Sequence, residues 1–152
     1  MRDTMLTIDH LPAQLAANDL RGRDEDTLLM TWEQRRWLRG KFSTAKGREV
    51  AIALPTGTVV APGAILFASP DWYLRVHAAA EPVLAITPAG YADAVRIAFE
   101  VGNRHFPLAM LANDLLVPDD TAMVQLLERL GAQWKRRSEI FNPLGNAHRH
   151  EH

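Results

Sequence analysis

The sequence contains no cysteine among its 152 residues. This absence excludes disulfide bonds, iron–sulfur clusters, zinc ribbons and catalysis by a thiol nucleophile. Any transition-metal site in the chain must therefore use imidazole, carboxylate, backbone or water ligands.

Long apolar runs are also missing, since none approaches the roughly 20 residues that would span a bilayer. The first residues lack the apolar segment of a signal peptide, so we expect a cytoplasmic protein with no membrane partner. The 17 Lys and Arg are balanced by 18 Asp and Glu, for a formal charge of −1. Such a chain has no general basic field to attract nucleic acid, and we expect no nucleic-acid partner.

Motifs of catalysis are absent as well. The sequence has no GxSxG, HExxH or phosphate-binding glycine loop, and its acidic residues are scattered. No nucleophile is paired with a base, so we expect a protein that is not an enzyme.

The first half of the chain is built of short segments rich in strand formers. In residues 49–55, Val50 and Ile52 share one face, as expected for a half-buried strand. We predict a small all-β N-terminal domain over residues 1–80. Its expected strands lie at residues 5–9, 27–33, 36–42 and 49–55, with two more before residue 80, and a loop or short helix follows the first.

The second half changes period. A strand at 82–87 precedes a helix that we expect to begin at Thr87-Pro88 and to end at Gly102. Two short strands follow, and then a second helix capped by Asp119 or Asp120 and a last strand. The order β-α-β-β-α-β predicts a ferredoxin-like domain over residues 81–142, and the whole chain is thus predicted to be α+β.

Residues 143–152 show no periodicity and are predicted to form a flexible C-terminal tail. His148, His150 and His152 alternate in it, and side chains two apart in an extended segment point the same way. Neutral imidazole is a good ligand for nickel, copper and zinc. The alternatives are a functionless terminus or a remnant of a purification tag.

His105 follows the first helix of the second domain, where a cation is favoured by the helix dipole. It is therefore either a residue that caps the helix end or a metal ligand. One imidazole is too few for a first-row ion, but two chains meeting at a two-fold axis would bring two His105 rings together. His10 and His77 are expected to be surface or packing residues.

The basic run Lys135 to Arg137, next to Trp134, leaves a different function open. Ferredoxin-like sheets also occur in RNA-binding and protein-docking modules. The aromatic RNA-binding motif of such sheets is absent, so a solvated strand face is the other interpretation.

Several stretches together resemble the UreE family of urease accessory proteins, which are nickel metallochaperones. The similarity runs from about Leu28 to the end. The stretches are TWEQR (31–35), GREVAIALPTGTVV (47–60), EPVLAI (81–86), GNRHFPL (102–108), LLERLGA (126–132) and FNPLGNAHRHEH (141–152).

This resemblance implies a β domain similar to a peptide-binding module, followed by a ferredoxin-like metal-binding domain. It implies a homodimer formed head to head by the C-terminal domains, with one nickel ion between His105 and its symmetry mate. His148 and His150 of the tail would complete the site, and His152 would contribute more weakly. Nickel would pass to the urease apoprotein in a complex with the accessory GTPase. Zinc and copper are further ions for such a site, and a general zinc or copper buffer is an alternative function.

The chain departs from the family pattern before the second helix of the metal domain. Many members have a His-x-His pair there, whereas the matching positions fall near Asp119 and Thr121. A peripheral histidine site is therefore expected to be lost, with a carboxylate of Asp119 or Asp120 as its only possible substitute. The short tail also argues against storage of many ions.

Overall fold

The computed structural model of the protein describes residues 5–145. The chain divides between Ala79 and Ala80 into two compact units. No helix in the described part of the chain is long and apolar enough to cross a membrane. The three histidines near the C-terminus, and the tail's expected flexibility beyond residue 145, lie outside the described residues.

The first unit consists mainly of two three-stranded sheets with the orders β1-β4-β3 and β2-β6-β5. Alternating side chains of these strands, such as Val50 and Ile52, are buried in one hydrophobic core of the first unit. Its strands are β1 (Leu6–Ile8), β2 (Asp24–Met30), β3 (Arg39–Ser43), β4 (Glu49–Ala53), β5 (Ile65–Ala68) and β6 (Trp72–Ala78).

The first unit also contains a short helix, α1 (Trp32–Arg36), which overlaps the ends of two predicted strands. Thr31 caps it, because its hydroxyl accepts from the backbone N–H of Gln34 while the Gln34 side chain accepts from the backbone N–H of Thr31. This reciprocal capping box satisfies two backbone donors and starts a helix. The prediction of strands at 27–33 and 36–42 was therefore wrong at this point. A 3₁₀ turn over Ala17–Leu20 follows β1, where a loop or short helix was predicted.

The second unit has the predicted βαββαβ order, and the α+β fold class is confirmed. Its elements are β7 (Ala80–Thr87), α2 (Tyr91–Asn103), β8 (Ala109–Leu111), β9 (Asp114–Pro118), α3 (Thr121–Leu130) and β10 (Gln133–Ile140). The antiparallel sheet has the order β10-β7-β9-β8, that of a split βαβ fold. Both helices pack against one face of this sheet, because one buried cluster contains residues of β7, β9, α2 and α3.

The ends of α3 agree with the sequence, whereas α2 begins later than expected. Asp120 caps α3 by accepting from the N–H of Ala122, and Gly131 ends it with a φ of 66°. Thr87 belongs to β7, and α2 starts only after Gly90. The Asp93 carboxylate accepts from the N–H of Ala89 and so satisfies a donor at this later start.

Candidate metal centre

His105 occupies the turn that ends helix α2. Its backbone has a φ of 61°, in the left-handed region. Its N–H donates to the carbonyl of Gly102 at 2.9 Å, and the N–H of Phe106 donates to the carbonyl of Val101 at 3.3 Å. These two bonds form a Schellman motif, in which the left-handed position is usually a glycine.

The residue that ends α2 is therefore His105, and the prediction that Gly102 ends it was wrong. Gly102 lies within the helix, which continues to Asn103, and its φ is not positive. The left-handed conformation costs a residue with a Cβ about 1–2 kcal/mol. Among the described residues, the only other non-glycine residue with a positive φ is Ala112.

The His105 side chain is exposed, and its neighbours in the turn have other roles. Arg104 folds back along α2, where its guanidinium donates to the carboxylate and the carbonyl of Glu100. Phe106 is partly buried against the core of the second unit. His105 is therefore an exposed imidazole at a left-handed position that glycine would occupy at lower energetic cost.

Helix α2 carries an exposed apolar stripe that leads towards this turn. Tyr91, Val95 and Phe99 are exposed by 87%, 51% and 66%. They are spaced four residues apart and so share one side of the helix. Large side chains in this number at the surface indicate an interaction surface.

Within residues 5–145, no group of three or more His, Asp or Glu side chains is close enough together to hold a metal ion. One chain thus offers a single imidazole at His105 in the described region. His148, His150 and His152, the other candidate ligands, lie outside the described residues. A metal ion at His105 would therefore need ligands beyond the described residues of one chain.

Asp119 and Asp120, the candidate carboxylate ligands before α3, already have partners. The Asp119 carboxylate accepts from Nε of Arg136 at 3.2 Å. Asp120 caps α3 through the N–H of Ala122, 2.8 Å away. A metal ion here would have to displace an arginine or a helix cap.

The remaining described histidines lie away from any cluster of ligands. His77 is exposed on β6, and its Nε2 lies 3.5 Å from a carboxylate oxygen of Glu25. The hydroxyl of Tyr73, together with Arg75, donates to Glu25 and holds the pKa of its carboxyl below the usual value. His10 is exposed near the N-terminus, as expected.

The basic run in β10 is largely neutralised by carboxylates. Arg136 pairs with Asp119 and stacks over the ring of Trp134, and Arg137 pairs with Asp114 and Glu139. Guanidinium groups engaged in this way leave little free positive charge for phosphates, so this strand favours a structural role.

Comparison with known proteins agrees with this architecture. Residues 8–79 match the family described as "UreE urease accessory protein, N-terminal domain", and residues 81–152 match its C-terminal domain. A urease accessory protein UreE of Ralstonia nicotianae is 35% identical over 97% of this chain and 72% of its own length. One from Paraburkholderia xenovorans is 34% identical over 97% and 68%, and one from Albidiferax ferrireducens is 32% identical over 97% and 91%. The chain therefore belongs to the UreE family of urease accessory proteins, whose members are not enzymes.

Proposed function

We propose that the protein is a nickel-binding metallochaperone that delivers Ni²⁺ for assembly of the urease active site. Membership of a urease accessory family supports a role in urease maturation. The observation that points to the metal is the exposed His105 in the left-handed conformation. Strain held at an exposed polar residue is a reason to look for a function there.

In the proposed site, the His105 imidazoles of two protomers bind one nickel ion at a two-fold axis. Two imidazoles leave coordination positions open, which His148 and His150 of the tail fill, with a weaker contribution from His152. The homodimer forms through the C-terminal domain, residues 81–142. The N-terminal domain, residues 1–80, would be similar to a peptide-binding module, and residues 143–152 would form the flexible tail.

This set of ligands suits a carrier. Without cysteine, the chain cannot form a closed thiolate cage. Imidazoles that come partly from a tail can leave the ion one at a time, so that nickel can pass to the next protein by ligand exchange. The receiving proteins are, in this proposal, the urease accessory GTPase and the urease apoprotein, in the cytoplasm.

Affinity alone does not select nickel. Copper binds most nitrogen sites more tightly, in accordance with the Irving–Williams order. Selectivity would therefore come from coordination geometry, metal supply and the receiving partner. A general zinc or copper buffer is the alternative function to test against.

The proposal is tested by calorimetric titration of nickel into the wild-type protein, His105→Ala and His77→Ala, with copper and zinc titrated separately. We expect one tight nickel ion per two chains in the wild type and in His77→Ala, and loss of this tight site in His105→Ala. His77 is a matched control because it is also exposed but lies on β6 of the other unit. Nickel binding by His105→Ala equal to wild type would reduce His105 to a helix-ending residue and overturn the site.

A further inference from the structure

Strand β3 lies at the edge of its sheet in the first unit, where β4 is its only neighbouring strand in the described chain. The backbone N–H of Thr44 donates to the carbonyl of Arg48 at 2.8 Å, and the N–H of Leu54 donates to the carbonyl of Leu38 at 3.2 Å. Both pairs lie in the antiparallel register of β3 and β4, along which hydrogen-bonded pairs alternate. Every second residue from Leu38 onwards therefore bonds to β4, and the residues between them direct their backbone groups away from it.

Lys41 and Ser43 are residues of this outer edge. Among residues 5–145, neither has a backbone hydrogen bond on its outer side. The edge ends at Arg39, because its N–H donates to the carbonyl of Trp37 at 2.8 Å. A row of unpaired N–H and C=O groups at a sheet edge is a template for one more strand.

The side chains along this edge carry positive charge. Arg39 and Lys41 are exposed, and because they lie two residues apart in a strand they share one face. Arg39 donates to the neutral hydroxyl of Thr56 at 3.3 Å, and neither cation forms an ion pair with a carboxylate of the described chain. Glu49 of β4 accepts from the hydroxyl of Ser43 at 2.6 Å. The two cations are therefore free to pair with carboxylates from outside the chain.

An exposed tryptophan stands at the start of the same edge. Trp37 directly precedes Leu38 and is 68% exposed. The neighbouring Arg36 is also exposed. Tryptophan and arginine are the residues most enriched among those that dominate binding energy at protein interfaces. Trp37 thus offers an apolar anchor beside a row of free backbone groups and unpaired cations.

We propose that β3 binds an extended, acidic segment of another protein as an additional strand of its sheet. Main-chain hydrogen bonds to Lys41 and Ser43 supply the pairing, as in other complexes formed by addition of a strand. Acidic side chains at alternate positions of the segment lie across from Arg39 and Lys41, where opposite charges are favourable. Trp37 packs on an apolar side chain at one end of the segment. The inference does not depend on nickel.

The charges of β3 also argue against a second copy of this chain as the partner. Two β3 strands paired with each other would place Lys41 and Arg39 across from like charges, which is unfavourable. Lysine on an edge strand is one way in which proteins prevent such self-pairing. The same cations attract an acidic strand, so the edge selects its partner by charge.

The experiment measures binding of a short fluorescent peptide, in which glutamate alternates with valine, to the metal-free full chain by fluorescence anisotropy. We expect Lys41→Glu and Trp37→Ala each to raise the dissociation constant at least tenfold. Lys135→Glu is the matched control, because it makes the same charge change at an exposed lysine of β10 in the second unit, and it should bind like the wild type. The same peptide with lysine in place of glutamate should bind at least tenfold more weakly.

Amide hydrogen exchange distinguishes strand addition from attraction by charge alone. Peptide should slow exchange at the N–H groups of Lys41 and Ser43, whereas those of Gly40 and Phe42 already bond to β4 and should change little. Absence of peptide binding, equal binding by Lys41→Glu, or binding without slower exchange at Lys41 and Ser43 would overturn the inference. Slow exchange there that appears without peptide and grows with protein concentration would assign the edge to a second copy and overturn it as well.

Melting of the variants without peptide checks that the fold is intact. Lys41→Glu should melt like the wild type, because its side chain is exposed and has no ion pair in the described chain. Nickel titration should be the same for Lys41→Glu and the wild type, so the outcome for this edge is independent of the outcome for His105.

Discussion

Replacement of His105 by glycine separates what this residue does for the fold from its proposed role as a metal ligand. Glycine adopts a φ of 61° without the steric conflict of a Cβ, and it is the usual residue at this position of a Schellman motif. We expect His105→Gly to be more stable than the wild type and to lose the tight nickel site. Such a gain in stability with loss of function is the pattern of a residue retained for its chemistry.

The size of the stability gain follows from two opposing effects. Relief of the left-handed conformation raises the free energy of unfolding by about 1–2 kcal/mol. The greater freedom of glycine in the unfolded chain lowers it by about 0.4–1 kcal/mol. The free energy of unfolding of the second unit should therefore rise by about 0.8 kcal/mol, within a range of about 0–1.6 kcal/mol. For a domain of this size, a gain of about 0.8 kcal/mol raises the melting temperature by about 3–6 °C.

Amide hydrogen exchange of β7 and β9 measures this change in the second unit alone, without nickel and at one protein concentration. Ala112→Gly is a matched control, because Ala112 has a φ of 54° in the turn between β8 and β9. It should gain similar stability and keep the tight nickel site. Lower stability of His105→Gly than of the wild type, or nickel binding equal to the wild type, would refute the reasoning.

Three further results are expected. A chain truncated after Gly145 should still dimerise but bind nickel more weakly, and calorimetry that shows equal affinity would exclude the tail histidines. Nickel affinity should fall steeply between about pH 7.5 and 5.5, because free imidazole protonates near pH 6.5, and a flat profile would indicate carboxylate ligands. Asp26 is buried and accepts hydrogen bonds from Thr44, Arg48, Lys46 and Thr27. Burial raises the pKa of the Asp26 carboxyl, but these hydrogen bonds outweigh burial and hold the pKa below its usual value. The ionised carboxylate therefore stabilises the fold above about pH 4, and this stabilisation is lost as the pH falls further. Asp26→Asn should lower the free energy of unfolding by about 2–3 kcal/mol, as measured by urea titration. The loss is smaller than for a fully buried ion pair because the Arg48 side chain is 39% exposed. An unchanged urea midpoint would contradict this expectation.

The architecture of the second unit was predictable because its helices bury regular stripes. Leu126 and Leu127 recur with Met123 at helical spacing and are buried in α3. In α2 the same periodicity was less informative. Tyr91 and Val95 follow the helical period as well as Val101 does, but only Val101 is buried. Periodicity alone does not tell a side that packs on the core of the unit from one that stays exposed on its surface.

Helix α1 was missed although its signal is present in the sequence. Thr31 and Gln34 have the spacing of a capping box, but Trp32 and the neighbouring apolar residues favoured a strand. The left-handed conformation of His105 had no such signal. Gly102 and Asn103 are ordinary residues for ending a helix, and the actual end depends on Phe106 packing against the core of the second unit. This tertiary contact places the left-handed residue that ends α2 at His105 and not at Gly102.

The central claim is that the His105 imidazoles of two chains bind the same nickel ion. X-ray absorption at the nickel edge of the dimer truncated after Gly145 tests it most directly, because the three tail histidines are then absent. The account predicts one nickel ion per dimer with two imidazole ligands, and none of this signal in the truncated His105→Ala variant. A single imidazole per ion, or two that persist without His105, would contradict it.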